Sequence, residues 1–110
     1  MKVTLDEMSN TAIIKLSGDL MLGSEANDFQ EAIHNCIEKN KKLIIIDLSG
    51  VKFLSSWGIG MLLHGYTTAS NKNIDFKLAA VPDLIRETFR KIKIDTIFQQ
   101  FNNIEEALKA

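Results

Sequence analysis

The stretch Ile44-Ile45-Ile46-Asp47-Leu48-Ser49-Gly50-Val51-Lys52-Phe53-Leu54-Ser55-Ser56-Trp57-Gly58-Ile59-Gly60-Met61-Leu62-Leu63 constrains the fold more than any other part of the chain. The apolar run is short, rich in isoleucine and followed by turn chemistry at Asp47 to Gly50. It therefore reads as a strand buried on both faces, ending at that turn. Beyond it, Ile59, Leu62, Leu63 and Tyr66 recur at helical spacing. Ser55 or Ser56 is the expected N-cap, with its hydroxyl beside the unpaired amides of the first turn. Exposed N–H groups and the positive end of the helix dipole favour an anion there, so a serine that gains and loses a phosphate at this point would be a natural switch.

The rest of the chain supplies what such a strand needs on either side. Val3 and Leu5 alternate as a first strand, Met8-Ser9-Asn10 makes a turn, and Ala12, Ile14 and Leu16 continue a second strand to Gly18. Strands joined this tightly form an antiparallel hairpin. Ser24 is the expected cap of a helix whose stripe is Ala26, Phe29, Ile33, Cys36 and Ile37, with Glu31, His34 and Glu38 outward. After the serine-capped helix, Asn71-Lys72-Asn73 is a break and Ile74, Phe76 and Leu78 alternate as a strand. Pro82 suits the first residue of a helix with the stripe Ile85, Thr88, Phe89 and Ile92. Ile97 to Phe101 reads as a short edge strand, and Asn102 or Asn103 as the cap of a last helix ending at Lys109. The expectation is one α/β domain over residues 1–110. It has a single-layer mixed sheet of four to five strands, an N-terminal hairpin and four helices packed on the sheet.

Composition narrows the function. The 110 residues are 45% hydrophobic and 25% charged, enough apolar material for one real core and too much for a disordered chain. A net charge of −1 gives no electrostatic case for direct nucleic-acid binding. The cluster Lys39, Lys41 and Lys42 reads as solvation of a helix C-terminus. Cys36, the single cysteine, reads as a small core residue. Strand-like alternation begins at once after Met1, leaving no signal region, and the apolar runs are too short for membrane insertion; a cytoplasmic setting is the default expectation.

Catalytic patterns fail. Gly58-Ile59-Gly60 begins like a dinucleotide loop, but Leu63 stands where its third glycine belongs. No phosphate loop and no hydrolase elbow is present. His34 and His64 fall on different helices, and no metal-ligand spacing exists. Asp47 ends a central strand like a receiver phosphoacceptor, but the first strand belongs to a hairpin, so Asp47 reads as a cap for the following turn. No enzyme activity, cofactor or metal is expected.

The block from Ile46 to Val51, followed by Phe53 to Leu62, resembles the signature of the STAS domain, the fold of bacterial anti-sigma-factor antagonists. Gly18-Asp19-Leu20 and Glu25-Ala26 resemble that family's second conserved region, and the element order matches along the whole chain. The resemblance implies a partner-switching regulator in transcription control. Unphosphorylated, it binds an anti-sigma factor that is also a serine kinase; phosphorylation releases it, and a phosphatase can reset it. The implied phosphoacceptor is Ser56, with Ser55 second, and the implied partner surface comprises Asp19, Met21, Ser55, Trp57, Gly58, Met61 and His64. Ser55 stands where the family usually has an aspartate, Met21 where an acid often lies, and Trp57 where a small residue is usual. The alternative is a constitutive interaction subunit without phosphoregulation, as in a lipid-transport ATPase complex. Trp57, Met61 and His64 share one helix face, read as an exposed contact surface. Gly65 reads either as a point of close packing or as a tolerated defect.

Overall fold

The computed structural model describes residues 2–21 and 26–110; the Ser24 cap lies outside the described residues. Among the described residues the order is β1 (Lys2–Glu7), β2 (Thr11–Met21), α1 (Ala26–Glu38), β3 (Leu43–Leu54), α2 (Ser56–Asn71), β4 (Asp75–Ala79), α3 (Asp83–Lys91), β5 (Gln99–Phe101) and α4 (Ile104–Lys109). They form one sheet in the order β1-β2-β3-β4-β5. Only β1 is antiparallel to its neighbour; β2, β3, β4 and β5 run parallel. This is the mixed sheet with an N-terminal hairpin that the sequence implies.

Strand β3 is the centre of the domain. Ile44, Ile46 and Leu48 point into the main core, formed with Phe29, Ile33 and Cys36 of α1, Leu62 and Ala69 of α2, and Ile85 and Phe89 of α3. Ile45 points the other way, against Ile13, Ala79 and Ala107 of α4. Ile44, Ile45 and Ile46 are each fully buried, which contributes roughly 1.5–3 kcal/mol per side chain relative to exposure.

The expected turn at Asp47 to Gly50 is a correction: β3 continues through it to Leu54. The pairing runs Lys15 to Asp47 and then Ser17 to Gly50, so β3 carries one extra residue. That bulge lets both Leu48 and Val51 enter the main core, which strict two-residue alternation forbids. The turn chemistry survives inside it, because the Asp47 carboxylate accepts the Ser49 N–H at 2.9 Å. Gly50 is required here, since a Cβ would lie 2.9 Å from the Ser17 Cβ.

Three other expectations change. Lys41 is buried and donates to the Met8 carbonyl at 2.6 Å, while Lys39 pairs with Glu7 at 2.8 Å. These lysines fasten the end of α1 to the hairpin turn instead of solvating a helix end. The Lys39 ammonium, hydrogen-bonded to Glu7, holds that carboxyl below its ordinary value. Pro82 is the N-cap of α3, one position before its first residue, and Ile92 lies beyond the helix and is exposed. Asn103 caps α4, accepting the Glu106 N–H at 2.8 Å. Lys77, buried on the α4 side, donates to the Ala107 and Ala110 carbonyls at 3.0 and 2.9 Å.

Helices α1 and α2 meet where Gly65 faces Phe29. A Cβ on Gly65 would lie 2.7 Å from the Phe29 ring, so this glycine sets how closely the helices approach. Gly65→Ala is expected to cost about 1–3 kcal/mol by overpacking, read as a lowered thermal midpoint. Burial pushes the Cys36 thiol up to about 11, from an ordinary value of 9.0. The unfolded thiol ionises first, so stability contributed by the neutral native thiol is lost as pH rises through that window. The stability of Cys36→Ala, followed from pH 8 to 11 in urea titrations, should therefore fall less steeply than that of the parent chain.

Candidate functional site

The end of β3 delivers the chain directly into α2. Ser55 has extended backbone and is the N-cap, its Oγ accepting the Gly58 N–H at 3.2 Å. Its carbonyl accepts the Ile59 N–H at 3.0 Å. Ser56 is then the first helical residue, and it is exposed. The two serines thus divide: one holds the helix, the other presents a hydroxyl to solvent at the positive end of the helix dipole.

The solvent face of α2 is unusual. Ser56 to Asn71 contains no Asp, Glu, Lys or Arg. Its exposed positions are Ser56, Trp57, Gly60, His64, Thr67, Ser70 and Asn71. A surface helix ordinarily carries charge there, as α1 does at Asp28, Glu31 and Glu38 and α3 at Asp83, Glu87, Arg90 and Lys91. Trp57 is 73% exposed, a large apolar surface left in water.

A groove of about 370 Å³ runs along this face, lined by Ser56, Trp57, Gly60, Met61 and His64 of α2 and by Gln30 of α1. Met61 is a correction: it is 5% exposed and packs in the main core, so it underlies the groove and does not pair with Trp57 as a free surface. Gly58 is likewise buried beneath the first turn. His64 is exposed at the groove, one turn beyond Gly60. The side chains of Asp19 and Met21 lie outside the described residues. Their backbone belongs to the end of β2, where Leu20 pairs with Phe53 and Met21 with Leu54, the residue before the cap. The helix pattern gave no sign of Gln30, because its place in the groove depends on how α1 packs against α2. Gly60 also lies in the groove, and the signal for it in the sequence is its place midway between Ser56 and His64 at four-residue spacing.

Among the described residues no group of three or more His, Cys, Asp or Glu side chains could hold a metal ion, and no helix is long and apolar enough to cross a membrane. What the site offers is an exposed serine hydroxyl at the rim of a groove whose described lining holds no Asp, Glu, Lys or Arg.

A family model described as the STAS domain matches residues 2–107. A curated relative, the anti-sigma-F factor antagonist RsfB of Mycobacterium tuberculosis, is 26% identical over 96% of this chain and 85% of its own length. Among solved structures, the anti-sigma factor antagonist SpoIIAA in its unphosphorylated form superposes with a TM-score of 0.81 at 18% identity, covering 97% of this chain and 93% of that one. The Bacillus cell fate determinant SpoIIAA in its phosphorylated form gives 0.71 at 19% identity, covering 98% and 97%.

Ser55→Ala should cost about 1 kcal/mol through the lost cap. Ser56→Ala, at an exposed position without that bond, should stay within about 0.5 kcal/mol of the parent chain. Thermal or urea unfolding of the two variants checks the division of roles.

Proposed function

The chain belongs to the STAS domain family, and from that premise we propose that it is a partner-switching regulator that acts by binding rather than by catalysis. Unphosphorylated, it engages an anti-sigma factor that is also a serine kinase; phosphorylated on Ser56, it is released, and a phosphatase returns it to the binding form. In the transfer step the Ser56 oxygen bonds to the terminal phosphorus of a nucleoside triphosphate held by the kinase. The bond to the diphosphate breaks, the nucleoside diphosphate leaves, and the hydroxyl proton passes through a base on the kinase to solvent.

The observation that carries this reading is the exposed Ser56 hydroxyl at the rim of a groove whose described lining holds no Asp, Glu, Lys or Arg, beside an exposed Trp57. Charge depletion with an aromatic anchor is the composition of an interface centre. A phosphate adds about −2 in charge at that rim, and repulsion and desolvation then oppose the same contact. Ser55, where the family usually has an aspartate, is an N-cap, and serine and aspartate cap about equally well. The departure therefore changes local charge and leaves the helix start intact. The proposed partner surface is Trp57 and His64 around Ser55 and Ser56, with Met61 and Gly58 buried beneath them and Asp19 and Met21 on the adjoining strand end.

Binding to the host's anti-sigma factor kinase, measured by calorimetry, tests the reading. Ser56→Asp should weaken the complex at least tenfold, Ser56→Ala should hold it, and Trp57→Ala should cost about 2 kcal/mol of binding with the fold unchanged. Equal affinity for the Asp and Ala variants would remove the switch and leave a constitutive interaction subunit.

A further inference from the structure

Glycine is among the least favourable residues in a helix interior after proline, so each one within α2 calls for a reason. Gly65 has one inside the protein, the close approach of Phe29. Gly60 has none. Its backbone is in the ordinary helical range, and an added Cβ would meet nothing within 4 Å. The fold would accept alanine there. What the glycine does is leave bare backbone open in the groove, between Ser56 and His64, which lie four residues before and after it.

The surroundings identify what fits. Gln30, Ser56, Trp57 and Met61 carry no charge, His64 is the one titratable side chain of the described lining, and that lining has no carboxylate and no lysine or arginine. An ammonium or carboxylate placed against these side chains would give up part of its water and gain no carboxylate, lysine or arginine partner from the described lining. An apolar side chain would instead meet the Trp57 ring, the Met61 thioether and the Gly60 backbone. We propose that Gly60 is a specificity-determining seat for one uncharged apolar side chain, of leucine or phenylalanine size, projecting from the partner. The proposal rests on the partner-switching reading for the identity of that partner, while the seat itself is a property of this chain alone. It also gives the phosphate a definite target, since charge at Ser56 would stand at the edge of the space the side chain must enter.

The test uses small uncharged and charged probes on the full chain, followed by amide and indole NMR shifts. N-acetylphenylalaninamide should shift the Gly60 amide and Trp57 indole N–H saturably, at least fivefold more tightly than N-acetyllysinamide. Gly60→Leu should weaken the uncharged probe at least tenfold with no fall in thermal midpoint. Gly60→Ala, adding a single methyl group into open space, should weaken it less and serves where the larger residue perturbs the helix. Equal binding of both probes, or wild-type probe binding by both Gly60 variants, would overturn the seat. Failure of the two ideas is distinguishable. A partner released by Ser56 phosphorylation that binds Gly60→Leu as tightly as the parent keeps the switch and overturns the seat. Probe binding lost in Gly60→Leu, with Ser56→Asp and Ser56→Ala equal toward the partner, keeps the seat and removes the switch.

Discussion

Burial of β3 on both faces is the constraint on which the rest of the structure depends. A strand with Ile44, Ile46 and Leu48 on one side and Ile45 on the other needs cover on both. Parallel neighbours reached through helical crossovers supply that cover. Helices α1, α2 and α3 fill one face, and the short α4 closes part of the other. The bulge between Asp47 and Gly50 then resets the phase of the strand, so that Val51 stays inward and the chain leaves the sheet at Ser55 in position to start α2. The site is a consequence of that exit: the helix N-terminus, the two serines and the end of β2 meet there because β3 ends there.

Within α2 the same residue types serve different ends. Ser55 is consumed by the backbone as a cap, which frees Ser56 to face solvent. Gly65 is consumed by the packing of Phe29, whereas no described residue fills the space above Gly60. The helix needs its apolar inner face, Leu62 and Ala69 included, to hold the core. It does not need the exposed Trp57, nor the absence of charge along its outer face. Those features add nothing to the core, and the proposed association with a partner would use them.

The element order and the cap at the start of α2 were legible in the sequence, because apolar periodicity and capping chemistry are local. So was the cap of α4, where Asn103 was one of two candidates. The misreadings have one physical origin. Asp47-Leu48-Ser49-Gly50 carries real turn chemistry, visible in the Asp47–Ser49 bond, but strand pairing on either side absorbs it as a bulge. Ile92 continues the helical period of α3 after the helix has stopped at Lys91. Met61 sits on the same helix face as Trp57, and only packing into the main core decides that one is buried and the other exposed. Lys41 and Lys77 are buried because backbone carbonyls distant in sequence accept from their ammonium groups. Each error required knowledge of a tertiary neighbour.

The central claim is that Ser56 carries a reversible charge. Intact-mass spectrometry with site mapping, on protein purified from its native host under growth and stress conditions, tests it most directly. The account predicts a single phosphate on Ser56 whose occupancy changes between conditions. No phosphate in any condition, or one confined to another residue, would contradict it.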